Sequence, residues 1–294
     1  MINNFKKLKR NIFRVLLFGF ALVGFIFCGV YVAMQYGWLN VKGSVSERNS
    51  YFNMNKMGIK NNNDDIIQNK LNPQISPYPW ANTDEWNLMK EVFTRDQEII
   101  KKAGRDAQIS PRLILSGVIG EQFRFFGNRR ESFKNYFEPL KILASLSNTS
   151  FGIAGLKPKT VSIIENNLKD IDSPFYLGPE MEHIVDYKDG VNIEVERMNR
   201  ITNAKDPYYS YLYVGLYMKE IIAQWEASGY DISKNAGILS TLYNLGFYYS
   251  VPKENPLIGG AVININNTEY TFGDLGHEFY YSDELSDIFE IEVQ

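Results

Sequence analysis

Glu121 is the acidic residue whose surroundings point most directly to chemistry. It stands in the run LILSGVIGEQF (residues 113–123), which carries no other charge. Ser110-Pro111 ahead of that run supplies an N-cap and a proline at the first helical position, and Gly127-Asn128 marks an end. Glu121 therefore falls in the last turns of an apolar, buried helix. There the negative end of the helix dipole and the desolvating surround both favour the protonated carboxyl. A neutral carboxylic acid near neutral pH suits general acid work, such as protonating the leaving oxygen of a glycosidic bond. The plain alternative is that Glu121 pairs with Arg124, Arg129 or Arg130, or faces solvent.

The other candidates are weaker. Tyr243-Asn244 closes AGILSTLYNLG (residues 236–246), where Tyr243 is either a hydroxyl aimed at a site or an amphipathic core tyrosine, and Asn244 reads first as a helix-end residue. His183 and His277 are the only histidines and have no metal-site spacing, so surface roles are expected and no metal is expected. No serine–histidine–acid motif, glycine-rich phosphate loop or internal repeat is present, and no cofactor is expected. Tyr208, Tyr209, Tyr211, Tyr213 and Tyr217 could stack on sugar rings, although their helical spacing also suits a core.

These residues need elements to position them. Asn82 with Glu85 reads as a cap, and Trp86, Met89, Val92, Phe93, Ile99, Ile100 and Ala103 form an apolar stripe that stops at Gly104, which predicts the first domain helix. The Glu121 helix follows. SFGIAGLKP (residues 150–158) reads as a turn with two glycines and a proline entering another helix. Residues 206–220 open a long aromatic helix, and residues 236–246 form one more buried helix. After Gly246, turn signals at Gly259-Gly260 and Asn266-Asn267 suggest a hairpin packed on the helical body.

In that order the segments resemble the lysozyme-like superfamily, specifically the soluble-type lytic transglycosylases. Glu121 matches the catalytic acid of that family. Gly152-Ile153 with Pro158 matches part of its glycine-leucine-methionine-glutamine turn, and Tyr243-Asn244 with Gly246 matches its alanine-tyrosine-asparagine segment. Asp206-Pro207, followed by Gly215 and Tyr217, looks like the intervening helix. The resemblance spans residues 109–246 and consists of short motifs in sequence order. It implies catalysis by Glu121, substrate binding by Tyr243, Asn244, Gly152, Ile153 and Gln122, and cleavage of the β-1,4 glycan strand of peptidoglycan. The substrate's own N-acetyl or hydroxymethyl oxygen would replace water and leave an anhydro-sugar end. Gln122 departs from the family's serine, and Gly155, beside Ala154, departs from its sugar-contacting glutamine. Those departures keep open a catalytically silent glycan-binding or scaffolding module.

The N-terminus sets the expected location. Residues 15–34 contain no charged side chain, and about 20 apolar residues suffice to cross a bilayer. Lys6, Lys7, Lys9, Arg10 and Arg14 precede the segment, against Lys42 and Arg48 after it, which places residues 1–14 in the cytoplasm. Tyr31, Tyr36 and Trp38 suit the headgroup region. No A-x-A-like site follows to favour cleavage as a signal peptide. Cys28, the only cysteine, follows Phe27 rather than a small residue, which argues against a lipoprotein and allows no disulfide within one chain. Residues 40–74, rich in Asn, Ser and Lys, read as a flexible tether, which Pro73, Pro77 and Pro79 then stiffen.

The expected whole is a single-pass protein of the bacterial cytoplasmic (inner) membrane, N-terminus inside, with its bulk periplasmic or extracellular. Its parts are a basic segment (1–14), a transmembrane helix (15–36), a tether (37–79), a mainly α, lysozyme-like domain (80–246) and a small β or irregular C-terminal extension (247–294). Insertions near 123–148 and 169–203 are expected to border the groove. With 294 residues, 45% hydrophobic and a net charge of −3, the chain can build one sizeable core and lacks the basic balance of a nucleic-acid binder. Expected partners are peptidoglycan strands, the inner membrane and other envelope proteins. An export-apparatus component unrelated to glycans is a third reading, resting on the anchor and tether.

Overall fold

The computed structural model describes residues 76–126 and 152–292, together with single helical positions between residues 14 and 29. Most of the expected membrane segment, the tether up to residue 75 and most of the spacer at 123–148 lie outside the described residues. Among the described residues no helix is long and apolar enough to cross a membrane. Over the described residues the fold is mainly α, with one two-stranded sheet.

The body begins by Ser76, ahead of the expected start at Trp80. Asn82 Nδ2 donates to the carbonyls of Ser76 at 2.9 Å and Tyr78 at 3.2 Å, closing a 3-10 turn over Pro79–Asn82. Asn82 is thus not the helix cap. Thr83 is: its hydroxyl accepts from Trp86 N at 3.1 Å and opens α1 (Asp84–Arg95), with Asp84 and Glu85 suited to the positive end of the dipole.

The apolar stripe expected to run as one helix is divided at Asp96, and the second part, α2 (Gln97–Asp106), runs past Gly104, where the stripe was expected to stop. Asp96 is buried, accepts from the Tyr211 hydroxyl at 3.1 Å and pairs with Arg95 at 2.7 Å. A carboxylate taken inside needs such partners, and the helix breaks where they are reached.

The central element is α3 (Pro111–Phe126), buried along most of its length and packed on α2, α6 (Tyr208–Ala227), α7 (Ala236–Leu245) and α8 (Phe272–Tyr281). Between them run α4 (Pro158–Asn167) and α5 (Ile193–Thr202). A network around buried Glu165 fixes the 169–203 segment to this body. Arg197 Nη2 approaches the carboxylate at 2.6 Å, and the hydroxyls of Tyr213 (2.7 Å) and Tyr187 donate to it. Arg200 lies over the rings of Tyr187 at 4.0 Å and Tyr209 at 4.2 Å.

The C-terminal part is more than a hairpin and is integral to the core. Strands β1 (Val262–Ile265) and β2 (Thr268–Thr271) pair antiparallel through Asn266 (φ 48) and Asn267 (φ 65), the left-handed pair a tight hairpin turn needs. A Thr271–Asp274 capping box then starts α8, a helix the sequence reading did not contain. Gly273 and Gly276 let α8 lie on α7, since a Cβ at either would overlap Thr241 or Ser240. Phe272, Leu275 and Phe279 are fully buried, contributing roughly 1.5–3 kcal/mol each.

Arg112, also fully buried, secures the end of α8. Its guanidinium donates to the carbonyls of Phe279 (2.8 Å), Tyr280 (2.8 Å), Ser282 (2.6 Å), Glu284 (3.0 Å) and Phe289 (3.0 Å). A cation at a helix C-terminus also meets the favourable end of its dipole. Burial lowers the Arg112 pKa to about 10, so the group remains charged.

Candidate functional site

The site forms where the C-terminal turns of α3 meet the 152–158 turn and the end of α7. Glu121, only 8% exposed, forms an ion pair with Arg124 one turn on, and the Arg124 guanidinium lies over the Phe272 ring at 5.5 Å. This is one of the bland alternatives that the sequence left open for Glu121. An adjacent guanidinium favours the ionised carboxyl, opposing the effect of burial.

Two side chains hold the turn facing Glu121. Gln122 Nε2 donates to the Ile153 carbonyl from α3, and the Tyr243 hydroxyl donates to the Ala154 carbonyl at 2.5 Å from α7. Burial, then the nearby Glu121 and Tyr217, push the Tyr243 phenol well above its ordinary value, so it remains a donor. Gly155, at φ +61, sits so close to Glu121 that a Cβ would overlap the carboxylate. The glycine at this position therefore follows from where Glu121 lies. A glutamine here would require the carboxylate or the turn to move.

Glu121, Arg124 and Tyr243 line a cleft of about 320 Å³, open along one side. Tyr217 stands edge-on to Tyr243, with ring centroids at 5.2 Å and planes at 88°, and Phe247 packs on Tyr217 at 4.2 Å. The start of α4 forms the second wall with Lys157, Lys159 and Thr160, while Tyr248 stands at the rim. Aromatic faces beside a few polar groups make a site that holds a ring-shaped ligand by its apolar face and orients it by its edges.

Of the residues singled out in the sequence, the structure brings Glu121, Arg124, Gly155, Tyr217, Tyr243, Asn244 and Gly246 together in this cleft. Asn244 Oδ1 also accepts from Ala261 N at 2.9 Å, tying the approach to the hairpin to α7. Gln122, Gly152 and Ile153 are not among the lining residues and act from behind it by holding the turn. At Gly152 (φ +68) a Cβ would run into the Ile201 carbonyl. None of residues 169–203 lines the cleft; Phe175 reaches its wall by packing against Phe247 at 4.9 Å.

The sequence reading missed the wall made by Phe247–Tyr249, a 3-10 turn directly after Gly246. Its signal was available: three consecutive aromatics placed just after the Tyr243-Asn244 motif. Lys157 and Lys159 carried no comparable signal, being ordinary polar residues at a helix start. The histidines lie apart from the cleft. His183, exposed, meets Asp186 at 2.7 Å, and His277 has its pKa lowered by burial. Among the described residues no group of three metal-ligating side chains is assembled.

Comparison with protein-family models, with curated proteins and with solved structures found no match to this chain.

Proposed function

We propose that the chain is a membrane-anchored, lysozyme-like lytic transglycosylase that cleaves the β-1,4 glycan strand of peptidoglycan, with Glu121 as its single acid and base. The observation that carries this reading is Glu121 itself, a nearly buried carboxylate facing an aromatic-walled cleft from the end of an apolar helix. Glu121 would protonate the glycosidic oxygen as the bond to C1 breaks. An oxygen of the same sugar, from its N-acetyl or hydroxymethyl group, would attack C1. Where the hydroxymethyl oxygen closes the ring, its proton returns to Glu121 and the product has an anhydro end. Tyr243 and Gln122 contribute by fixing the turn opposite the carboxylate, and no cofactor takes part.

The second reading, a silent glycan-binding or scaffolding module, draws support from the Glu121–Arg124 pair, because a guanidinium beside the carboxylate favours its ionised form over the acid that catalysis needs. The two are separated by Glu121→Gln, which keeps size and hydrogen bonding but removes the transferable proton. Purified protein is expected to release anhydro-ended fragments from peptidoglycan, and the variant to do so at least about a hundredfold more slowly. Reducing ends would instead indicate a hydrolase. Binding shared by both variants without release leaves the silent module, and absence of binding removes peptidoglycan as the target.

The proposed anchor rests on the uncharged N-terminal segment and its flanking lysines and arginines. Protease added outside spheroplasts should remove the domain; cleavage only in inverted vesicles would reverse the topology.

A further inference from the structure

Tyr248 combines an exposed ring with a fixed backbone. Its side chain is 87% exposed and stands at the cleft rim. The chain on either side is nevertheless held firmly. Tyr249 N donates to the Gly246 carbonyl and Ser250 N to the Phe247 carbonyl, each at 3.0 Å. Ser250 is buried, with its hydroxyl bonded to Gln224 Oε1 at 2.5 Å and Trp225 Nε1 at 2.9 Å, and its carbonyl accepts from Gln224 Nε2 at 3.0 Å. On the other side Phe247 is wedged between Phe175 and Tyr217. The Tyr249 ring, edge-on at 5.1 Å, completes the mount.

A ring so exposed gains little from folding, yet the bonds around it hold its backbone beside the opening. The part of a ligand that meets it lies on the exposed side of the cleft, whereas Glu121, in the same cleft, is nearly buried. A pyranose ring offers the matching chemistry, with an apolar C–H face to lay on the phenol and hydroxyls left in water. We propose that Tyr248 is a stacking platform for a second sugar ring, beyond the one placed at Glu121, so that the site selects glycan strands of several rings over short ones. The inference deepens the glycan reading above and rests on it.

The test measures binding of N-acetylglucosamine oligomers of two and of six rings to the full chain in detergent, in a Glu121→Gln background so that turnover does not intrude. Tyr248→Ala is expected to weaken binding of the six-ring oligomer about three- to tenfold and to leave the two-ring oligomer unchanged. Tyr248→Phe should bind both as the parent does, because the ring face and not the hydroxyl makes the contact. Exposure of the side chain means that the melting temperature should not move in either variant, which separates a binding effect from a folding one. Retained six-ring affinity in Tyr248→Ala would overturn the platform and leave the glycan reading intact. Equal losses for both lengths would place the ring beside Glu121 and also overturn it, as would a Phe variant as weak as Ala. Absence of binding by the parent to either oligomer and to peptidoglycan overturns both the platform and the glycan reading.

Discussion

The two ends of α3 each carry a guanidinium, but in opposite settings. At the first turn Arg112 is fully buried and bonded to five backbone carbonyls of the 279–289 segment. Near the last turn Arg124 lies on a cleft wall and is paired with the carboxylate of Glu121. Arg112's carbonyl partners cannot titrate and are sealed from ligand. Arg124's carboxylate partner can accept a proton, and an entering molecule can compete for it. One helix thus joins a fixed fastening to an exchangeable contact, and a guanidinium's role follows from what it is bonded to, not from its burial alone.

Removing the fastening should have the largest effect. Arg112→Ala strips donors from several buried carbonyls at once, and each unsatisfied group costs about 1–3 kcal/mol. A loss of at least 3 kcal/mol is expected, a large share of the 5–15 kcal/mol typical of a domain. Denaturant unfolding followed by circular dichroism measures it. Lysine should recover only part, since an ammonium cannot reach five carbonyls in the fork of a guanidinium. A cost below about 1 kcal/mol for alanine would mean that the C-terminal segment is a dispensable attachment, against the packing of Phe272 and Phe279.

A smaller effect at the same end depends on pH. Trp80 Nε1 donates to Glu278 Oε2 at 2.8 Å, and Trp80 also packs against Phe279. Burial, with a smaller contribution from Asp274, raises the Glu278 pKa to about 7, although the indole bond opposes the shift. The folded value is above the unfolded one of about 4.3. The stability linked to this proton is therefore fully present below pH 4.3 and is lost as pH rises through 7. Allowing for partial exposure, the change is on the order of 1–3 kcal/mol between pH 4.3 and 8. His277 beside it acts in the opposite sense, because its lowered pKa removes stability as pH falls. The clean readout is the difference between parent and Glu278→Gln melting curves across that range. A difference independent of pH would show that Glu278 does not take up its proton there.

These two ends also differ in how much of them could be read from the sequence. Glu121 stood out because it interrupts an apolar run, and the 152–158 turn, α6 and α7 were legible from glycine and proline placement and from sustained apolar runs. Asn266-Asn267 gave the hairpin for the same local reason. Arg112 was silent. Its partners are main-chain carbonyls 167–177 positions away, which no residue type reveals. The break at Asp96 was hidden because the apolar stripe continues through it, and only its distant partner Tyr211 explains the turn. Gly273 and Gly276 hid α8, since glycines that weaken a helix locally here permit its contact with α7. At the cleft, motif matching found Glu121, Tyr243 and Asn244 but gave Gln122 and Ile153 roles as ligand contacts, whereas their hydrogen bond holds the turn behind it.

A change in stability smaller than at Arg112, and the most informative one for chemistry, is expected at the exchangeable end. In Arg124→Gln the nearly buried carboxylate loses a guanidinium neighbour, but the glutamine amide still offers it a donor and the cleft lets water approach, so the loss should stay below that of Arg112→Ala. A general acid works only while protonated, and a nearby cation favours the ionised form. If Arg124 acts on Glu121 through charge, removing it should move the alkaline limb of the kcat/KM profile on peptidoglycan to higher pH. The rate at pH 8 should rise relative to the rate at pH 5. If Arg124 instead holds the carboxyl in place, the rate should fall by a similar factor at every pH, with the limb unmoved. Arg124→Lys separates these cases further, because it keeps the charge and loses the fork. A limb that returns to its parental position in the lysine variant but not in glutamine assigns Arg124 an electrostatic restraint on the acid. A limb fixed in both variants would leave Arg124 a structural neighbour, and the contrast between the two ends of α3 would then lie in solvent access alone.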